Sequence, residues 1–445
     1  MKKVGVLVLS LCLVTVLVFS SFSFTSCTDG GGTDVIKVGV VQAQTGAYAG
    51  FGTGDVFGIR AAVEDINALG GVDVGGKQME IELLVRDNQS DPNRAGTLAE
   101  SLVTQDNVHF IISGDEPPPM HPGVSNVAEK YKIPYVTSVG PFEPWNALRD
   151  ATDTKWQYTW ATGLFALGTP ASGDDFRVGK PGYTVNDTWI EMLEQFGDET
   201  NKKVAIVASD DSDGVGWYNT LPGIVQELGY EPIGIDKKLG FLPIETTDFS
   251  SVINEWKAND AQILWGNCPA PFFAALWKQC STMGFQPKMV SIGRAALFYQ
   301  DIAAWGGDLP YGVGTEIWWS PTVTEYEGIG DTTPMSLADR WTESTGTPLN
   351  PAIGSGYRAM QVLIDAIERA GSIDADEVNA ALAETDLMTI GHRVKFDENH
   401  FNRTPIFFGQ WFKTDEPAGW ELKVVYSKHD FVPEEGEPIF PIPYD

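Results

Sequence analysis

The chain has 445 residues, and 43% of them are hydrophobic, which is enough to build the cores of two domains. It carries 30 Lys and Arg against 60 Asp and Glu, so its formal net charge at pH 7 is −30. A surface this acidic repels nucleic acid and anionic lipid headgroups, and it excludes both as general partners.

Residues 1–27 are typical of a secretion signal. Lys2 and Lys3 precede an apolar segment over residues 4–24, and small residues follow it. The apolar segment is also long enough to span a bilayer, so an uncleaved anchor is the alternative. Cys27 follows a small residue and precedes a Gly-rich stretch, an arrangement that resembles a bacterial lipoprotein processing site. We expect an exported protein lipidated at Cys27, or else simple cleavage nearby.

Strand-like and helix-like segments alternate from residue 35 onward. Apolar runs predict buried strands over residues 35–41, 81–85, 108–112 and 133–137, and apolar residues at helical spacing predict helices between them. The Gly-rich residues 50–54 are predicted to lie in the loop before the first helix. Repeated β-α-β units with short connections indicate a doubly wound parallel sheet.

The same alternation restarts after residues 167–187, which contain Gly and Pro and predict a loop insertion. The sequence therefore predicts an α/β protein with two similar lobes. Further strands are predicted over residues 204–208, 262–265 and 289–292, further helices over 224–228, 271–284, 351–370 and 375–384, a strand-rich segment over 393–426, and a Pro-rich tail after 429.

Two cysteines remain beyond the signal region, Cys268 and Cys280. Export would permit a disulfide between them. However, most of the intervening residues are predicted to form a helix, which would separate the two sulfurs by roughly 18 Å, beyond disulfide reach. We expect two free, buried thiols.

Motifs for catalysis and for cofactor binding are absent from the sequence. The five His form no tight ligand motif, and neither a G-x-S-x-G elbow nor a phosphate-binding G-x-x-x-x-G-K-S/T loop occurs. Residues 50–54 give only G-x-G-x-G, without the third Gly of a dinucleotide loop. We expect no enzyme activity, no cofactor and no metal.

Several segments resemble the branched-chain amino-acid-binding protein family, whose members are type I periplasmic binding proteins. The resemblance covers residues 35–425 and is strongest over 36–140. The segments are residues 36–40 (IKVGV), 45–46 (TG), 52 (G), 61–71 (AAVEDINALGG), 86–92 (RDNQSDP), 133–134 (IP) and 249–266 (FSSVINEWKANDAQILWG).

The resemblance implies two doubly wound lobes joined by three chain crossings, which we place near residues 159, 318 and 390. Lobe I would comprise residues 35–159 plus 319–389, lobe II residues 160–318 plus 390–430, and residues 431–445 would form a tail. The ligand is then expected in the cleft, at the carboxyl ends of the parallel strands, with hinge closure around it.

On the lobe I side, the resemblance points to Phe51 as an aromatic wall, with loop packing as its alternative role. Family members bind the ligand carboxylate after the third strand, where this chain has Glu116, Pro118 and His121 within residues 114–121. The prolines of that segment lack the N–H groups of an anion-binding nest. The turn after the fourth strand contributes Gly140 and Pro141.

On the lobe II side, Asp213, Asn267 and Arg294 follow predicted strands and are expected to face the cleft. Arg294 stands where amino-acid binders usually have an acid for the ligand ammonium. Two roles remain open for Arg294, a bidentate pair with a ligand carboxylate and a structural pair with one of the many acids. Trp160 and Trp265 are expected, with Phe51, to clasp an apolar ligand body.

The sequence therefore predicts a monomeric, extracytoplasmic solute-binding component of an ABC importer. Its partners would be a small organic acid or amino-acid-like ligand and a membrane permease. The alternatives are the extracellular sensing domain of a signalling system, for which we find no output segment or later membrane span, and a secreted hydrolase, for which we find no nucleophile set.

Overall fold

The computed structural model describes residues 35–166 and 184–444. The predicted signal with Cys27, and residues 167–183 of the predicted insertion, lie outside the described residues. Within the described ranges, no helix combines the length and the apolar character needed to cross a membrane.

The first series of elements contains every strand predicted there, each near its predicted position. In chain order the elements are β1 (Ile36–Gln42), α1 (Ala49–Ala68), β2 (Val72–Val74), β3 (Lys77–Met79), β4 (Ile81–Asp87), α2 (Pro92–Thr104), β5 (Phe110–Glu116), α3 (His121–Tyr131), β6 (Tyr135–Val139), α4 (Phe142–Asp150) and β7 (Thr159–Gly163).

The second series again alternates strands and helices, and three helices and five strands follow it. It comprises α5 (Val185–Phe196), β8 (Lys203–Ser209), α6 (Ser212–Glu227), β9 (Glu231–Ile233), β10 (Phe241–Leu242), α7 (Ser250–Ala258), β11 (Ile263–Asn267), α8 (Ala270–Met283), β12 (Met289–Gly293), α9 (Tyr299–Ala303) and β13 (Gly314–Ile317). The remaining elements are α10 (Pro334–Thr345), α11 (Ala352–Ala370), α12 (Ala375–Ala383), β14 (Asp386–Met388), β15 (Arg393–Lys395), β16 (Phe401–Arg403), β17 (Phe407–Lys413) and β18 (Trp420–Tyr426).

The strands form two large sheets. The first has the order β16-β7-β6-β5-β1-β4 with parallel pairings throughout. The second has the order β10-β8-β11-β12-β13-β17-β18, with β9 also paired to β8, and it is parallel up to β13 and antiparallel beyond it. The α/β fold with two parallel-sheet lobes is therefore confirmed.

Local capping explains where two helices begin and one ends. The Asp91 carboxylate accepts the N–H groups of the first turn of α2, and the Asp211 carboxylate does the same for α6. Gly284 ends α8 in the left-handed region at φ 69°. The two carboxylates thus provide hydrogen-bond partners for N–H groups that have none within their own helices.

The strand pairing near the three predicted chain crossings can be compared with their positions. Strand β7 starts at the predicted crossing near 159, yet it pairs with β6 in the first sheet, so the chain leaves this sheet only after Gly163. Strand β16 lies beyond the predicted crossing near 390, yet it pairs with β7 and covers the edge of the same sheet. Strand β13, which ends just before the predicted crossing near 318, belongs to the second sheet.

The Gly-rich residues 50–54 form the first turns of α1, so the predicted loop is wrong. Glycine is needed there for close approach, not for a turn. A Cβ on Gly52 would lie 2.0 Å from the Ala43 carbonyl oxygen, and one on Gly58 would lie 2.0 Å from the Ile353 carbonyl oxygen. The missing side chains let α1 pack directly on the end of β1 and on α11.

The core of the second sheet contains both remaining cysteines and part of the tail. Cys268 and Cys280 are buried free thiols, as predicted. Val432 and Ile442 are buried in the same cluster, so the Pro-rich tail packs against this core. Ile439 also exchanges backbone hydrogen bonds with the Gln410 side chain, at 2.8 and 3.1 Å.

Candidate functional site

Two neighbouring cavities open where the carboxyl ends of the parallel strands meet, the position at which open α/β sheets bind ligands. We call them the wide cavity, of about 310 Å³, and the narrow pocket, of about 30 Å³. The wide cavity is lined by Pro141, Glu143, Pro144, Ala166, Ser212, Asp213, Gly216, Trp217 and Thr220. The narrow pocket is lined by Phe51, Asp115, Gly140, Pro141, Leu164, Val185, Asp213, Trp217, Asn267, Arg294, Leu297, Glu316 and Trp318.

Both sheets contribute to the narrow pocket. Asp115 lies near the end of β5, and Gly140 and Leu164 follow β6 and β7 in the first sheet. Asn267 ends β11 and Arg294 follows β12 in the second sheet. The pocket therefore joins two separately built surfaces, as an interlobe ligand site requires.

Asp115 is the polar group that the first sheet presents to the narrow pocket. Its side chain is 7% exposed, and its Oδ2 atom has no hydrogen-bond partner among the described residues. A buried acceptor without a partner loses its hydration without compensation, so a donor from a bound molecule would be favourable here.

A buried polar network supports the end of β5 behind this wall. Glu116 accepts hydrogen bonds from the Ala43 N–H at 2.7 Å and from the Asn88 amide at 2.8 Å, and burial raises the pKa of Glu116 to about 7. Burial also raises the pKa of Asp55 well above its usual range, and the Gln42 amide donates to Asp55 at 2.9 Å. These carboxyl groups fix the strand ends and do not line the cavities.

Two other predicted residues of this segment lie in the core. Pro118 is buried in a short 3-10 turn. The His121 ring contacts the Glu116 carbonyl oxygen at 3.0 Å and the Tyr135 hydroxyl at 3.3 Å, and burial lowers the pKa of His121 to about 4. The structure gives Glu116, Pro118 and His121 structural contacts away from the cavities, which do not support the predicted ligand contacts.

Arg294 is held by acids and amides of the second sheet. Its guanidinium lies 3.1 Å from the Asp211 carboxylate and 3.0 Å from that of Asp213, and it also donates to Ser209 and Asn267. Of the two roles that the sequence left open for Arg294, the structure shows the pair with acids of the protein itself. The Arg294 guanidinium is therefore not free to form the bidentate pair with a ligand carboxylate that the sequence also suggested.

The ion pairs set the charges of this cluster. Burial raises the pKa of Asp213 to about 6, although Arg294 opposes the shift. Burial also disfavours the charged form of Asp211, but Arg294 and three hydrogen bonds outweigh it and lower the pKa of Asp211. Burial disfavours charged Arg294 too, yet the two carboxylates raise its pKa, so the guanidinium stays charged.

Glu316 adds a further carboxyl group to the narrow pocket. It is 6% exposed, and burial raises the pKa of Glu316 to about 7. Its Oε2 atom accepts a hydrogen bond from the Thr315 hydroxyl at 3.1 Å. At neutral pH this group therefore lies near its midpoint and responds to the charge of a neighbouring ligand.

Aromatic rings form the apolar walls. Phe51 lies in the first turn of α1 and packs edge-on against Phe298 at 4.7 Å and parallel to Trp318 at 6.2 Å. Trp217 lines both cavities and stacks on Trp189 at a centroid distance of 4.9 Å. Trp217 is buried and Phe51 is partly buried against the core.

The two predicted tryptophans do not line the cavities. Trp265 packs against Trp189 at 5.6 Å, behind the wall that Trp217 provides. Trp160 stacks on His400 at 3.7 Å and donates its indole N–H to Asn379 at 2.7 Å. Both predicted ligand contacts therefore lack support from the structure.

Six of the predicted site residues meet at the narrow pocket: Phe51, Gly140, Pro141, Asp213, Asn267 and Arg294. Sequence reasoning missed Asp115, Trp217, Glu316 and Trp318. One signal was available, because Trp217 lies four residues after Asp213, a spacing that places both side chains on one face if the segment is helical, as α6 is. Over residues 35–166 and 184–444, no group of three or more His, Cys, Asp or Glu could hold a metal ion.

Comparisons with known proteins agree with this architecture. The family described as "Periplasmic binding protein" matches residues 35–416. Leu/Ile/Val-binding protein homolog 7 of Brucella abortus is 24% identical over 392 residues, which cover 84% of this chain and 89% of the relative.

Two solved structures share the fold. The branched-chain amino acid transporter substrate-binding protein of Streptococcus pneumoniae, in complex with isoleucine, has a TM-score of 0.67 and 19% identity, with 88% of this chain and 99% of that chain covered. A solute-binding protein of an R. palustris ABC transporter, in complex with 4-hydroxybenzoate, has a TM-score of 0.65 and 19% identity, with 92% and 98% covered.

Proposed function

The chain belongs to the periplasmic binding protein family, and from this we infer that it captures a small organic solute outside the cytoplasm and delivers it to the permease of an ABC importer. The observation that carries the proposal is the convergence of both sheets on one pair of cavities. Their linings combine aromatic walls with a few buried polar groups, the composition typical of a small-molecule site.

Closure of two lobes would be the signal that the permease reads. We propose that lobe I is built on the first sheet and lobe II on the second, with crossings after Gly163, near 318 and after Arg403. A solute that contacts both sheets binds the closed arrangement better than the open one and therefore shifts the population toward it.

The names of the relatives support a solute of amino-acid or aromatic-acid size. The Brucella relative is named for leucine, isoleucine and valine, and the two structural neighbours hold isoleucine and 4-hydroxybenzoate. The relatives are named as binding proteins, which supports a role without catalysis over a hydrolase. The wide cavity, of about 310 Å³, is at the lower end of the range for such solutes.

A thermal-shift screen tests the proposal. Amino acids, aromatic acids, amines, short amides and sugars should include at least one compound that raises the melting temperature, because ligand that binds only the native state stabilises it. The same compound should lose its effect on Trp217→Ala, which removes a wall of both cavities, and keep it on the surface variant Glu245→Gln. The proposal would be contradicted if no compound raised the melting temperature. It would also be contradicted if the stabilising compound raised the melting temperature of Trp217→Ala as much as that of wild type.

We further propose that Cys27 anchors the protein to a membrane through a lipid. Cys27→Ser should move the protein from the membrane fraction to the soluble fraction of the cells that express it. Wild-type protein that already fractionates as soluble would contradict the anchor, while leaving the solute-binding role intact.

A further inference from the structure

The proposed function leaves the charge of the solute open, and the lining of the cavities bears on it. Resting on that function, we propose that the solute is an organic cation. It would be an amine whose protonated nitrogen lies beside Asp115 and Glu316 in the narrow pocket and whose apolar body lies against Trp217 in the wide cavity.

Among the described residues, carboxyl groups outnumber cations in the lining of the narrow pocket. Asp115, Asp213 and Glu316 line this pocket. Arg294 is the one cation among the described lining residues, and its charge is already shared between two carboxylates at 3.0 and 3.1 Å. A further carboxylate from a ligand would face like charges in a partly dry site, whereas a cation would restore neutrality.

The unpartnered Oδ2 atom of Asp115 indicates a missing donor. Arg358 is a buried base, and its guanidinium donates to the Ser138 and Thr162 hydroxyls at 3.1 and 3.0 Å. Arg358 acts on Asp115 electrostatically but makes no hydrogen bond to it. A protonated amine carries up to three N–H donors and would satisfy this oxygen from the pocket side.

The aromatic walls favour the same class of ligand. Phe51, Trp217 and Trp318 line the narrow pocket, and aromatic faces attract cations electrostatically. The narrow pocket, at about 30 Å³, has room for a group of one or two water volumes, such as a primary ammonium. The wide cavity, at about 310 Å³, can hold the apolar remainder beside Pro141, Pro144 and Trp217.

An amino acid fits the described part of this site less well than an amine, because its carboxylate finds no free cation among the described lining residues. The guanidinium of Arg294 is engaged, and Pro141, which lines both cavities, supplies no backbone donor. The inference therefore separates this chain from its structural neighbours, which hold isoleucine and 4-hydroxybenzoate.

Isothermal calorimetry with matched compounds tests the inference. Phenethylamine, phenethyl alcohol, hydrocinnamate and phenylalanine share one body and differ in charge, and isoamylamine, isoamyl alcohol, isocaproate and leucine form a second set. The assay runs about one pH unit above the Glu316 pKa of about 7, so that its carboxyl group is ionised. In at least one set, we expect the amine to bind at least tenfold tighter than its alcohol, its acid and its amino acid.

Variants assign the effect to the pocket. Asp115→Asn and Glu316→Gln keep the side-chain shape and should each weaken amine binding at least tenfold, with alcohol binding unchanged. The control Glu245→Gln removes a carboxylate from an exposed position and should change neither. A variant that still binds the alcohol is folded. Weaker binding of the amine by that variant is then caused by the loss of its carboxylate charge.

The outcomes separate this inference from the proposed function. Tighter binding of an acid or an amino acid than of the matching amine would overturn the cation assignment and leave the solute-binding role standing. Equal binding of amine and alcohol, or amine binding unaffected by both pocket variants, would also overturn it. A chain that binds no amine in either set contradicts the inference, and one that also fails the wider thermal-shift screen contradicts the proposed function.

Discussion

At the residue scale, the charge of Arg294 at the candidate site belongs to an ion cluster and is not free. Arg294 has a left-handed φ of 62°, which L-residues rarely adopt, and its side chain is 7% exposed. Ser209, Asp211, Asp213 and Asn267 hold it in place. Because these residues follow different strands, the cluster ties together the carboxyl ends of β8, β11 and β12.

Removing Arg294 should therefore destabilise the fold. Arg294→Ala leaves the buried Asp213 and the partly buried Asp211 carboxylates without their cation, and we expect a loss of about 3 kcal/mol in the free energy of unfolding measured with denaturant. Arg393→Ala, which breaks an exposed pair with Asp386, is the control and should have little effect. Equal effects of the two variants would show that the cluster is not a stabilising unit.

Glu316 should make stability depend on pH. Its pKa is about 7 in the folded chain against an ordinary value of 4.5, so the folded state keeps its proton while the unfolded state loses it. The contribution is fully present below about pH 4.5 and is lost as the pH rises to about 7, by about 3 kcal/mol. The free energy of unfolding of wild type relative to Glu316→Gln should fall by this amount over that interval.

Denaturant melts of both proteins at several pH values measure this difference. A difference that stays constant with pH, or one that grows as the pH rises, would show that Glu316 is not held in its protonated form by burial.

The sequence placed Asp213 and Arg294 at the site but could not show that they pair with each other. They are far apart in the chain, and their approach depends on the register of β8, β11 and β12. The sequence also could not show which of Asp115 and Glu116 faces the narrow pocket. Adjacent strand residues face opposite sides of a sheet, and one extra residue in β5 reverses which of the two faces the pocket.

At the element scale, α1 shows how glycine positions a helix. Gly52 and Gly58 let the helix backbone approach Ala43 and Ile353 more closely than any side chain permits. Phe51 lies on the same segment, and the close packing of α1 therefore sets how far its ring reaches into the narrow pocket.

A pair of helix glycines tests this role. Gly52→Ala places a Cβ about 2.0 Å from the Ala43 oxygen and should destabilise the protein by at least about 2 kcal/mol. Gly223→Ala, in α6, meets nothing within 4 Å and should be neutral or stabilising by about 0.5–1 kcal/mol, because alanine favours a helix interior. Melting curves of the two variants that shift in the same direction would contradict the packing account.

Most elements could be predicted from the sequence because strands of a buried parallel sheet are continuous apolar runs. The predicted strands over 204–208 and 289–292, for example, correspond to β8 and β12. Strand β16 could not be assigned to a sheet, because its three residues, Phe401–Arg403, carry no pattern and gain their place only by pairing with β7.

At the scale of the whole molecule, the two sheets are separate surfaces that border one candidate site. The first contributes Phe51 and Asp115, and the second contributes Asp213, Arg294 and Glu316. Neither surface encloses a ligand alone, so a bound solute would stabilise the arrangement in which both face it. The net charge of −30 also favours the approach of cations to the cleft over that of anions.

Small-angle scattering with and without solute tests the central claim, that the protein captures a solute by closing two lobes around it. The solute is the compound that gives the largest thermal shift, at a saturating concentration, and Trp217→Ala is the control. The account predicts a smaller radius of gyration for wild type with solute and no change for the variant. A scattering curve of wild type that is unchanged at saturation would contradict it.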